Sequence, residues 1–159
     1  MREYPWWESF ENIALFEKRV KEWVLLIPDL PTKDVRKLLS RLCDPKHRVP
    51  YRLLSEALDR QNVSEKDTER SFHHALQTYY SVTSVMSVLA LSRKLSFESL
   101  MLIIEKFSHD DDVLAHAIGN LVGRALAKDK RAKAALKKIY NGQTLDLHTK
   151  AYIKDSMNW

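Results

Sequence analysis

Three residues past the middle of the chain have the types and spacing of a metal site. His109, Asp112 and His116 offer two imidazoles and a carboxylate. Asp112 and His116 are four apart, so they share a face if the segment is helical. A third ligand would have to come from elsewhere. The same residues also serve a plainer purpose: His109-Asp110-Asp111-Asp112 places three acids in a row, and acids favour the N-terminus of a helix. The His109-Asp110 pair admits a second metal reading. Metal-dependent phosphohydrolases of the HD class are helical and carry a His, then a His-Asp pair, then a later Asp. His73 or His74 precedes the pair here, and Asp146 or Asp155 follows it. With six histidines to choose from, that order is easily matched, and the pair falls at a loop-to-helix start instead of inside an apolar helix. We therefore expect no metal and no cofactor.

Nucleophilic chemistry has less support. The single cysteine, Cys43, is followed by Asp44, and an acidic neighbour raises a thiol's pKa and dulls it. There is no Gly-x-Ser-x-Gly, and three glycines could hardly build a phosphate-cradling loop. The chain is not expected to be an enzyme, and no residue is assigned a catalytic role.

Charge is the stronger signal. The net charge is +5, from 26 basic and 21 acidic residues. Between 124 and 138 lie seven bases (Arg124, Lys128, Lys130, Arg131, Lys133, Lys137 and Lys138) against one acid, Asp129. That window is +6 and the remainder of the chain −1, so the basicity belongs to one element. On a helix, Lys130, Lys133 and Lys137 share one face, Arg131 and Lys138 flank a second, and Ala132, Ala135, Leu136 and Ile139 point inward. Such a helix can lie against phosphates or against an acidic protein, and a solvated lysine face also simply aids solubility. No aromatic residue interleaves the lysines before Tyr140, so stacking of single-stranded bases is not supported. The second candidate contact is aromatic: Tyr4, Trp6 and Trp7 near the start, and Trp159 at position 159. Trp6 and Trp7 are about 100° apart on a helix, so they cannot share a face. One can be core, while the other seals an end of the bundle or anchors a partner.

The elements that must position these residues are helical. A chain of 159 residues with 45% hydrophobic and 30% charged composition suits one globular domain, and so few glycines argue against a turn-rich sheet fold. The first helix is predicted from about Pro5 to Leu26, with Phe10, Ile13, Phe16, Val20, Trp23 and Val24 on one stripe that runs on to Ile27. Thr32 caps a short second helix (Val35, Leu38, Leu39, Leu42), and Pro50 opens a third (Leu53, Leu54, Ala57, Leu58). Ser64 and Asp67 form a capping box at the head of a fourth helix running to about Leu91. Within it, 22 residues from Ser71 to Ser92 lack any Asp, Glu, Lys or Arg. His73, His74, Gln77 and several hydroxyls make that stretch a buried central helix instead of a membrane span. Ser81, Ser84 and Ser87, at three-residue steps, suit close approach of a neighbour. Ser96 caps a fifth helix and Ser108 with Asp111 a sixth, in which Gly119 and Gly123 suggest close packing. A seventh runs from about Asp129 to Tyr140 and ends at Asn141-Gly142. Thr144 opens the last, carrying Leu147, Ala151, Tyr152 and Met157.

The expectation is an all-α, single-domain fold over residues 1–159. Seven or eight helices surround a buried fourth helix. For the short last four helices, stacked hairpins of the HEAT kind fit as well as an orthogonal bundle does. One cysteine and a start without a signal-like apolar run point to a reducing, cytoplasmic setting and no membrane. The leading functional expectation is a protein-binding module such as an inhibitor, immunity protein or antitoxin. Its partner would have an acidic or neutral contact surface. The alternative is a nucleic-acid-binding or regulatory protein using 124–138, and a third reading is an HD-like metal-dependent hydrolase.

Overall fold

The computed structural model describes residues 13–43, 51–60, 62–77, 82–142 and 145–159. Among them are nine α-helices, one short 3-10 turn and no strand. They are α1 (Ile13–Leu26), α2 (Thr32–Leu42), α3 (Tyr51–Asp59), α4 (Glu65–Leu76), α5 (Val82–Leu91), α6 (Phe97–Lys106), α7 (Asp111–Leu126), α8 (Lys130–Asn141) and α9 (Leu147–Met157), with the 3-10 turn at Ile27–Asp29. None of the helices in the described residues is long and apolar enough to cross a membrane.

Most of the apolar stripes read from the sequence are the buried faces. Val35, Leu38, Leu39 and Leu42 of α2 are buried, as are Leu53, Leu54, Ala57 and Leu58 of α3. The same holds for Val113, Ala117, Ile118, Leu121, Val122 and Ala125 of α7. Burying a leucine-sized side chain contributes about 1.5–3 kcal/mol, so these faces dominate the folding drive. The capping box is present in full: the Ser64 hydroxyl accepts from the Asp67 N–H at 3.1 Å, and the Asp67 carboxylate accepts from the Ser64 N–H at 3.1 Å. Ser96 caps α6 by accepting from Ser99 N–H at 3.1 Å.

Several expectations are corrected. The long fourth helix is two. α4 stops at Leu76, where Gln77 N–H turns back to the His74 carbonyl, and α5 begins at Val82. Thr78, Tyr79 and Tyr80, which follow in sequence, are all weak helix formers. There are thus nine helices among the described residues instead of seven or eight. At the centre α5, the uncharged half of the expected fourth helix, is joined by α7. α7 packs against α5, α6, α8 and α9, while α5 bridges α7 to α3 and α4. Three caps move. Pro31 stands before α2 without a side-chain cap. Asp110, not Ser108, caps α7 by accepting from Val113 N–H at 3.0 Å. Asp146, two residues on from Thr144, caps α9 by accepting from Thr149 N–H at 2.8 Å. In α9 the buried residue is Ile153, whereas Leu147 is 87% and Tyr152 46% exposed. Among the described residues Gly119 and Gly123 do not mark close packing: a Cβ on Gly119 would meet none of them within 4 Å, and one on Gly123 would meet only the Arg93 guanidinium, at 3.8 Å. Pro5, Pro50, Ser81, Thr144, Trp6 and Trp7 lie outside the described residues.

Candidate binding surface on the basic helix

α8 begins where the C-terminus of α7 turns over. Asp129 N–H bonds to the Arg124 carbonyl and Lys128 N–H to the Ala125 carbonyl, the paired bonds of a Schellman cap. The left-handed position of that cap is ordinarily glycine, but here it is Lys128, at φ 71°. Asp129 then accepts from the backbone N–H groups of Arg131 at 2.9 Å and Ala132 at 3.3 Å, starting α8. The buried Ala132 and Leu136 fasten the helix, which packs broadly on α7.

The seven basic residues of this window do not form one surface. Lys130, Lys133, Lys137 and Lys138 are exposed on the outer side of α8, and no carboxylate lies within ion-pair range of them among the described residues. Lys128 is exposed at the turn. Arg131 leans the other way, toward α6. Its guanidinium donates to the Glu98 carboxylate at 3.2 Å and lies 4.7 Å from the centre of the Phe97 ring. Arg124 is turned inward. Its Nε donates to Asn120 Oδ1 at 3.0 Å and its Nη2 to the Leu95 carbonyl. Burial lowers its pKa, with Asp129 opposing, but an arginine stays charged, and its Nε and Nη2 are engaged inside the fold.

Arg124 belongs to a polar knot around the turn between α5 and α6. The buried Asn120 amide donates to the carbonyls of Ala90 at 2.7 Å and Ser92 at 3.0 Å. Lys94 Nζ donates at 2.7 Å to each of the Leu58 and Arg60 carbonyls, where α3 ends. Glu69 of α4 accepts from the Ser96 N–H and the Ser99 hydroxyl, both at 2.6 Å. Desolvation works against the Glu69 carboxylate, but the hydrogen bonds from Ser99 and Ser96 outweigh it and hold its pKa below the usual range.

The sequence reading missed what happens at the far end of α8. Asn158 adopts the left-handed conformation at φ 56°, and Trp159 N–H bonds to the Lys154 carbonyl. The Trp159 ring thereby returns to α8, 5.6 Å edge-to-face from Tyr140, with Lys137 Nζ 5.2 Å from its centre. Lys150 of α9 stands 5.7 Å from the centre of the Tyr140 ring. Each distance is within the range of a cation–π contact. The one local signal was Asn158, a residue type that tolerates the left-handed region.

The metal candidates do not assemble. Among the described residues no three His, Cys, Asp or Glu side chains stand close enough to hold an ion. Asp110 is spent as the α7 cap and Asp146 as the α9 cap, and His73 is drawn to Glu69 at 3.7 Å. His116 Nδ1 is buried without a hydrogen-bond partner, but His109 and Asp112 point to solvent. Cys43 is buried, and desolvation pushes its thiol up to about 12 against a weaker hydrogen bond with Ser71, so it is inert at neutral pH.

What the geometry leaves available is a lysine face on a firmly docked helix, ending in an aromatic pair that the same chain's lysines cover. No protein-family model, curated protein or solved structure matches the chain.

Proposed function

We propose that the protein is a binding module that recognises another protein through the outer face of α8. One observation carries this reading: Lys130, Lys133, Lys137 and Lys138 stand exposed on one helix without a carboxylate in ion-pair range among the described residues, while Arg124 and Arg131 of the same window are committed. An acidic contact surface is the complement of such a face, and it would speed encounter as well as set orientation. Trp6 and Trp7, which lie outside the described residues, are proposed as further aromatic anchors for the partner. The narrower form of the proposal is an inhibitor, immunity protein or antitoxin in the cytoplasm, where a small rigid helical scaffold neutralises its target.

The second reading is nucleic-acid binding by the same helix. The Tyr140 and Trp159 rings beside Lys137 and Lys150 favour it, because single-strand readers combine cations with aromatics. A face of each ring is already covered by a lysine, however, and Trp159 is half-buried, which favours the protein partner.

The two readings part in one experiment. The purified chain and its Lys130→Glu/Lys133→Glu/Lys137→Glu variant are used to capture partners at low salt from lysate with and without nuclease treatment. One stoichiometric protein held by the wild type and lost by the variant supports the protein reading. Retention that vanishes with nuclease, and salt dependence as steep as phosphate contacts impose, supports the nucleic-acid reading. A partner held equally by both forms removes α8 from the account.

A further inference from the structure

Away from α8, a second concave feature lies between α2 and α4. Where two packed helices meet, the facing side chains are ordinarily apolar. Beside the Leu38–Leu39–Leu42 stripe, α2 instead presents Arg36, Ser40 and Cys43, and α4 presents Asp67, Arg70, Ser71 and His74, at three- and four-residue steps on both helices. Together with Leu39 these residues line a cavity of about 130 Å³. That is close to the roughly 150 Å³ that accepts a benzene-sized guest.

The floor and the rim of this cavity differ. Leu39, Cys43, Asp67 and Ser71 are buried, and the Ser71 hydroxyl donates to the Asp67 carbonyl at 3.0 Å. Both Asp67 carboxylate oxygens are used internally. Oδ1 accepts from Arg36 Nε at 3.0 Å, and Oδ2 from the Ser64 N–H at 3.1 Å and hydroxyl at 3.0 Å. Asp67 therefore holds the Arg36 guanidinium in place, with both of its oxygens already accepting hydrogen bonds. Arg70 and His74, one turn apart, and Ser40 across from them are exposed at the rim. Two guanidinium groups against one carboxylate leave the lining at +1.

We infer that this cavity is a binding site for a small phosphate-bearing ligand, held by Arg36 and Ser40 of α2 and Arg70 and His74 of α4. A tetrahedral anion accepts from donors on both helices at once, whereas a planar carboxylate would use one arginine fork. The site is separate from the α8 face and stands or falls without it. Leu39 gives the wall an apolar surface against which the organic part of a phosphate ester would lie.

The test is a titration of the full chain, followed by amide NMR shifts at constant ionic strength. One arm uses inorganic phosphate and the other phenyl phosphate. Saturable shifts confined to residues 36–43 and 67–74 are expected. Arg70→Gln should weaken binding at least about fivefold, with the rest of the spectrum unchanged. Tighter binding of phenyl phosphate assigns the site to an ester, and equal or weaker binding assigns it to the free ion. The inference is overturned by shifts that do not saturate up to about 20 mM, by shifts centred on the α8 lysines, or by wild-type affinity in both Arg70→Gln and His74→Gln.

Discussion

The polar knot between α5, α6 and α7 and the outer face of α8 are both rich in cations and adjoin in sequence, but they spend their charge differently. In the knot, Arg124 and Lys94 give their donors to carbonyls 29 to 36 residues away in the chain. On α8, Lys130, Lys133, Lys137 and Lys138 face solvent. A buried cation must have its hydrogen bonds satisfied inside the protein, because losing water costs several kcal/mol. An exposed one keeps its water until a partner replaces it. The lesson is that a cluster of basic residues in sequence is a binding surface only for those members whose donors remain unspent.

The largest expected effect falls on the knot. Asn120→Ala removes two donors and one acceptor from a buried site and strands the Arg124 Nε. A loss of about 3 kcal/mol is expected in urea unfolding. A loss below about 1 kcal/mol would mean that water replaces the amide, and the contrast with α8 would weaken.

Glu69→Gln comes next, at about 2 kcal/mol near neutral pH: glutamine keeps one acceptor oxygen, so one charge-assisted hydrogen bond to the head of α6 becomes neutral and the other loses its acceptor. The sign of the pH effect follows from the lowered pKa values of Glu69 and Asp67. A carboxylate whose pKa falls on folding stabilises the protein above its unfolded pKa, and that stability is lost as pH falls through the folded value. Wild-type stability should thus decline below the ordinary carboxylate range of about pH 4. The gap between wild type and Glu69→Gln should close over the same interval, followed by unfolding at a series of pH values.

A smaller effect sharpens the description of the knot. Gly119, beside Asn120, has room for a Cβ, so Gly119→Ala should raise stability by about 0.5–1 kcal/mol, the helical preference of alanine. A drop on calorimetry would mean that α5 or another element sits closer to this face than the structure has it. The smallest effect is reserved for α8. Lys130→Gln/Lys133→Gln/Lys138→Gln should change stability by no more than about 0.5 kcal/mol, as surface substitutions without partners do. A larger loss in thermal unfolding would show that these lysines stabilise the fold and are not held for a partner.

The candidate surface was legible in part. The spacing of Lys130, Lys133 and Lys137 identified their common face correctly, because the apolar positions Ala132 and Leu136 fix which side of α8 is buried. Arg124 was grouped with them because it is near in sequence. Its true partners, Asn120 and the Leu95 carbonyl, became visible only once α7 was laid against the turn before α6. The polar seam of α2 and α4 was present in the spacing of Arg36, Ser40 and Cys43, but a polar stripe on one helix acquires meaning only from the stripe that faces it.

Local physics therefore settled the helical class, most of the buried faces and the caps at Ser64 and Ser96, since periodicity and capping act within a few residues. Tertiary structure decided the rest. It set the break after Leu76, the central place of α7, the exposure of Leu147, and the return of Trp159 onto Lys137. Each of these is a competition between a weak local preference and contacts with residues distant in the chain, and pattern along one strand of sequence carries no record of which helix lies across from it.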